Sequence, residues 1–161
     1  MKILITGITG LIGNHLMKVL IKNGCHDIRG NYFSNRNLAE YTSENIEMIQ
    51  ADVSDEKAIH NITGDCDVVV HTAARVIDFG TKKQFYEAHY DATQYLLSDS
   101  KINGVKHFIY ISSVGVASGI DRNKIIPDES TSLVKTGVHY DDAKIDTETL
   151  VKEFCTKNNI I

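Results

Sequence analysis

Thr6-Gly7-Ile8-Thr9-Gly10-Leu11-Ile12-Gly13 decides how this chain is read, because three evenly spaced glycines stand between an apolar run and a helical pattern. Upstream, residues 2–6 predict a first strand buried on both faces. Downstream, Leu11, Ile12, Leu16, Val19 and Leu20 recur at helical spacing over residues 11–23, and Gly24 is a natural stop. Each glycine then has a task. Gly7 permits a tight exit from the strand, Gly10 lets the backbone approach a phosphate, and Gly13 lets the helix pack close to the sheet. The helix amino terminus offers free N–H groups and a positive dipole end to the same anion. The stretch therefore predicts a pyrophosphate-binding turn built from Gly7, Thr9, Gly10, Leu11, Ile12 and Gly13.

The rest of the chain continues the alternation. Strands are expected at residues 27–32, 46–50, 68–71 and 106–112, the fourth of them apolar until His71. A short helix capped by Asp52 or Ser54 is expected to run to Ile62, a long one over residues 81–101 stopped by Gly104, and another over residues 139–157. Alternating strands and helices give an α/β fold: a doubly wound parallel sheet with helices on both faces and a switch point near the first strand. Residues 114–138 hold the single proline, Pro127, and read as a long irregular segment of the kind that usually carries function.

Bulk properties exclude several classes. The 161 residues leave room for one domain, and a net charge of -4 without a Lys/Arg cluster argues against a nucleic-acid surface. Cys25, Cys66 and Cys155 form neither a paired framework nor a metal-ligand spacing, which suits a reducing compartment and predicts no metal. Met1-Lys2-Ile3-Leu4-Ile5 is too short an apolar run for a signal peptide, and nothing approaches a membrane span. A cytoplasmic protein acting on a small molecule is expected.

Chemistry concentrates near the carboxy terminus. Tyr140-Asp141-Asp142-Ala143-Lys144 places a phenol and an ammonium four residues apart on one helical face. A free tyrosine titrates near 10, about three units too high for a base at neutral pH, and a nearby cation favours the phenolate. Ser112 and Ser113 close the fifth strand, where ligands of doubly wound sheets bind, and a hydroxyl there can donate to a substrate carbonyl as it gains charge. After the second strand, Ile28-Arg29-Gly30-Asn31-Tyr32-Phe33-Ser34-Asn35-Arg36 contains no carboxylate to hold a ribose 2′-hydroxyl. Ser34, Arg36 and Arg29 could instead receive a 2′-phosphate, which favours NADP over NAD.

Together, TGITGLIG, Asp52-Val53, Val70-His71-Thr72-Ala73-Ala74, Tyr110-Ile111-Ser112-Ser113 and the Tyr140/Lys144 pair resemble, in this order, the extended short-chain dehydrogenases/reductases. That group includes nucleotide-sugar epimerases and dehydratases, 3β-hydroxysteroid dehydrogenases and dihydroflavonol-reductase-like proteins. The resemblance implies a Rossmann fold binding NADP or NAD, with Asp52 and Val53 flanking the adenine and Thr72, Ala73 and Ala74 lining the cofactor cleft. It implies that Ser113 polarises the carbonyl, that Tyr140 is the acid/base, and that Lys144 binds ribose and tunes Tyr140. A homodimer through the helices at 81–101 and 139–157 is also implied.

Two departures stand out. His89 occupies the place of an asparagine common in similar proteins and reads as a surface or core histidine. Similar proteins also continue with a further strand and a substrate domain, so residues 1–161 are expected to be an NAD(P)-binding amino-terminal portion, the sheet incomplete and the carboxy-terminal substrate domain absent. Val114-Gly115 follows Ser113 in place of an acidic pair, which favours an oxidoreductase working at a C–OH/C=O carbon. An epimerase or dehydratase, or a non-catalytic dinucleotide-binding fragment, is the alternative.

Overall fold

The computed structural model describes residues 1–34, 38, 41, 46–77, 79–121, 123 and 126–161. Five strands, β1 (Ile3–Thr6), β2 (Ile28–Tyr32), β3 (Glu47–Gln50), β4 (Val68–His71) and β5 (His107–Tyr110), form one parallel sheet in the order β3-β2-β1-β4-β5. The order reverses direction between β1 and β4, which sets the crevice at their carboxyl ends. Alternation along each strand feeds two cores. Ile3, Ile5, Val68 and Val70 face Met17 of α1 (Leu11–Lys22), while Leu4, Val69 and Phe108 face the opposite layer. Every residue of β1, β2 and β4 is buried, as expected of strands covered on both sides.

The opposite layer is one long helical stretch and the tyrosine helix. The stretch begins as α2 (Lys82–Tyr86), widens into a π-turn (Glu87–Asp91) and continues as α3 (Ala92–Ile102). Thr81 caps α2, with its hydroxyl accepting from Gln84 N at 3.3 Å and the Gln84 side chain accepting from Thr81 N at 2.9 Å. Gly104, at φ +72°, ends the stretch in the left-handed conformation that glycine adopts without strain. α4 (His139–Asn158) packs against both the π-turn and α3.

Three expectations need correction. Residues 54–62 form turns, not a helix, because a distant side chain captures the N–H groups that would carry a helix onward. Asp52 and Asp55 cap Ser54 N (2.9 Å) and Lys57 N (3.0 Å) as a helix start would, but Asp99 accepts from Asn61 N (2.8 Å) and Thr63 N (2.9 Å). Asn61 takes φ 62°, which no helix continues through. The fifth strand stops at Tyr110, so neither Ser112 nor Ser113 belongs to it. Arg29 lies at the opposite end of the sheet from the glycine turn. It pairs with Glu47 (2.9 Å) and Asp65 (2.8 Å) and donates to the carbonyls of Ile62 (2.9 Å) and Gly64 (2.6 Å). It is a structural cation and unavailable to a 2′-phosphate.

Candidate functional site

The glycine turn leaves β1 through Gly7 at φ +65°, and Gly10 N donates back to Gly7 O at 2.8 Å. A Cβ on Gly7 would meet the Ala73 backbone at 2.8 Å, and one on Gly13 would meet Gly7 O at 2.6 Å and Ile8 Cα at 2.8 Å. The first glycine thus admits the β4 loop and the third admits the helix. Gly10 differs. Its imagined Cβ meets Gly7 O at 3.1 Å and nothing else within 4 Å, so the side facing outward is open. Gly10 is the N-cap of α1, which has no side-chain cap among the described residues and no acid in its first turn. Its leading N–H groups are free for an external anion. Leu11 and Ile12 stand exposed beside them, at 79% and 50%.

The ends of β1 and β4 are tied side by side. Thr72 Oγ1 donates to Thr6 O at 2.6 Å, Ala73 N donates to Thr6 Oγ1 at 3.2 Å, and Thr6 Oγ1 lies 2.7 Å from His71 Nδ1. Burial, then the charge of Lys144, pushes His71 down to about 3, so it is a neutral hydrogen-bonding ring. Beside these ties opens a cleft of about 350 Å³ that brings Gly7, Asp52, Val53, Ala73 and Ala74 together. Asp52 is held at its mouth by Ser54, whose Oγ donates to Oδ1 at 2.7 Å. Of the residues assigned to the nucleotide's 2′-position, Ser34 is exposed past the end of β2, and Arg36 lies outside the described residues. Asn31, Phe33 and Arg75 also line the cleft. Sequence reasoning missed them because each sits outside the glycine motif, Asn31 inside β2 and Phe33 and Arg75 on loops whose path periodicity does not give.

Tyr140 and Lys144 fall in the first two turns of α4. Lys144 is 2% exposed; its Nζ donates to Ile111 O at 2.8 Å and sits 4.6 Å over the Tyr110 ring. Burial pushes its ammonium down to about 8, with Glu148 opposing the shift. Tyr140 meets a buried aromatic cluster edge-on: His89 at 5.3 Å and 86°, Phe85 at 6.3 Å and 81°. His89 is a core residue, 1% exposed, and burial first, then Lys144, pushes it down to about 4. The i, i+4 spacing of Phe85 and His89 was the available signal that both serve one face.

Ser113 caps a 3₁₀ turn, Val114–Ala117, by accepting from Gly115 N at 3.1 Å, which leaves its own proton free to be donated. Ser112 Oγ is buried without a partner among the described residues and borders a separate apolar groove of about 720 Å³. The turn is fastened to α4 through Ser118 Oγ, which donates to Asp141 Oδ2 at 2.8 Å. The far end of the long segment is fastened likewise: Thr136 N and Gly137 N donate to Asp142, and Lys135 pairs with Asp146 at 2.6 Å. Ser118 at one end and residues 135–137 at the other are thus both held by acids of α4.

Residues 3–161 match the NAD dependent epimerase/dehydratase family. The chain belongs to it. Among curated members of similar sequence, an N-acetyl-alpha-D-glucosaminyl-diphospho-ditrans,octacis-undecaprenol 4-epimerase of Escherichia coli O157:H7 is 28% identical over 158 residues, covering 96% of this chain and 44% of that protein. A UDP-N-acetyl-alpha-D-glucosaminuronate decarboxylase of Bacillus cytotoxicus is 30% identical over 117 residues, covering 68% and 36% respectively. The crystal structure of UDP-glucose 4-epimerase from Thermotoga maritima superposes with a TM-score of 0.85 at 26% identity, covering 99% of this chain and 53% of that one. This epimerase/dehydratase-family chain spans between 30% and 44% of the length of the curated relatives. Among the described residues, no helix is long and apolar enough to cross a membrane.

Proposed function

We propose that this family member binds NADP or NAD at the β1–α1 turn and serves an oxidoreductase that transfers hydride at a C–OH/C=O carbon of a small molecule. The observation that carries this is the uncapped start of α1 at Gly10, which opens onto the carboxyl edge of the sheet where Ser113, Tyr140 and Lys144 also stand. The residues fit the cofactor. Free N–H groups meet the pyrophosphate, Asp52 and Val53 flank adenine, and Thr72, Ala73 and Ala74 wall the cleft. The nicotinamide, when bound, supplies or accepts the hydride. Ser113 donates to the carbonyl oxygen as it becomes negative, and Tyr140 gives or takes the hydroxyl proton. Lys144 holds ribose. The absence of an acid beside Ser34 and Arg36 supports NADP.

The test is direct. NADPH oxidation over a panel of ketones and aldehydes, with Tyr140→Phe as control, is expected to lose at least about 100-fold in turnover. Equal turnover by Tyr140→Phe would refute the proton-transfer role. Gly10→Val is expected to abolish dinucleotide binding, and undiminished binding would refute the turn assignment. The second reading, an epimerase or dehydratase, is favoured by the epimerases among the similar proteins. It predicts substrate conversion without net change in nicotinamide absorbance. The same proposal extends to a homodimer through the 82–102 helical stretch and α4, and to a cytoplasmic site in keeping with three free thiols. It also treats residues 1–161 as the nucleotide domain of a two-domain enzyme.

A further inference from the structure

Arg75 follows Ala73 and Ala74 on the loop leaving β4 and borders the same cleft as Gly7. Its guanidinium lies 5.9 Å over the Phe85 ring, and its Nε is buried without a hydrogen-bond partner. Among the described residues no carboxylate pairs with it. The two acids lining the cleft are engaged elsewhere, Asp52 by Ser54 and Glu87 by Lys83 at 3.6 Å. A buried donor left unsatisfied costs about 1–3 kcal/mol, so such donors normally have an acceptor. The backbone that carries Arg75 is fixed at both sides, by Ala73 N on Thr6 Oγ1 and by His89 Nε2 3.4 Å from Arg75 O. This is a preorganised cation, unpaired with any acid among the described residues, in the cleft that Gly7 of the glycine turn also lines.

We propose that Arg75 binds a phosphate of the dinucleotide and sets its affinity. The inference rests on the nucleotide-binding reading above and adds to it a residue outside the glycine turn. The planar guanidinium fork suits phosphate oxygens, and the two acids in the cleft would otherwise repel that anion. The phosphate is either the pyrophosphate or the adenine-ribose 2′-phosphate, and the two are separable by ligand.

Calorimetric titration of the full chain with NADH and NADPH tests this. Arg75→Met keeps an aliphatic stem against Phe85 while removing the charge. It is expected to weaken binding about 10- to 100-fold, the range of a charge-assisted hydrogen bond. Equal loss for both ligands assigns the pyrophosphate, and loss confined to NADPH assigns the 2′-phosphate. The variant's affinity also falls less steeply with salt than the parent's, which a purely structural contact would not produce. Parent-like affinity for both nucleotides, or weakened binding with an unchanged salt slope, overturns the proposal and leaves the nucleotide site standing. Absence of binding by the parent chain refutes the nucleotide reading and this inference together.

Discussion

Replacing Lys144 with methionine should make the fold more stable at neutral pH and less stable in alkali. The buried ammonium titrates near 8 against an ordinary 10.5, so at pH 7 the charged form is disfavoured by about 3 kcal/mol relative to the unfolded chain. Methionine removes that cost but orphans the Ile111 carbonyl, which now accepts at 2.8 Å, losing about 1 kcal/mol. The net is about 2 kcal/mol in favour of the variant, or about 4–8 °C in midpoint for a chain of this size. The pH course follows from the lowered pKa. Below pH 8 both folded and unfolded lysines are charged and the cost is complete. Between 8 and 10.5 the unfolded chain binds more protons, so the parent gains stability as pH rises and the difference shrinks. Near 10.5 the variant should be about 1 kcal/mol the weaker. Urea unfolding of both chains, followed by circular dichroism across pH 7–10.5, measures the difference while titrations common to both cancel. A variant less stable at pH 7, or a difference independent of pH, would refute the claim that burial lowers this lysine.

Gly13→Ala gains about 1 kcal/mol of helix propensity yet drives a Cβ to 2.6 Å from Gly7 O; with overpacking costing about 1–3 kcal/mol, net destabilisation is expected in urea titrations. Gly24→Ala, at φ +81° with nothing within 4 Å, should cost only the left-handed strain of about 1–2 kcal/mol, measured the same way. Arg29→Met strands the carbonyls of Ile62 and Gly64 and should lower stability by about 2–4 kcal/mol, with dinucleotide affinity per folded molecule unchanged by calorimetry. Asp146→Asn weakens the tie to Lys135 and to Tyr86 Oη (2.7 Å), and should speed hydrogen exchange in residues 131–138 before it affects β1.

The parallel sheet was legible because β1 and β4 are short, β-branched and buried on both faces, a pattern that needs no partner to recognise. The glycine turn was legible for a different reason: its residues act on backbone geometry, which sequence states directly. Residues 54–62 were misread because their capture depends on Asp99, 36 residues away from Thr63, and local capping rules contain no such partner. Arg29 was misread because its partners, Glu47, Asp65 and the carbonyls of Ile62 and Gly64, are distant in the chain and come together only on folding. Arg75 escaped notice altogether, since its meaning comes from an unpaired Nε and a ring 10 positions on in the chain, both visible only after folding.

The π-turn at Glu87–Asp91 acts as a phase shifter. One residue beyond the α-helical repeat rotates everything after it by about 100° relative to everything before it. Phe85, ahead of the shift, and His89, within it, look toward Tyr140; beyond it, Leu96 and Leu97 look into the sheet. Thr93 Oγ1, donating to His89 O at 2.6 Å, takes up a carbonyl in the loosened ladder. The stretch thereby serves two surfaces, the aromatic cluster at Tyr140 and the core of the sheet. Deleting Ala88 would heal the ladder and force a choice, aligning either the aromatic face or the core stripe at the expense of the other.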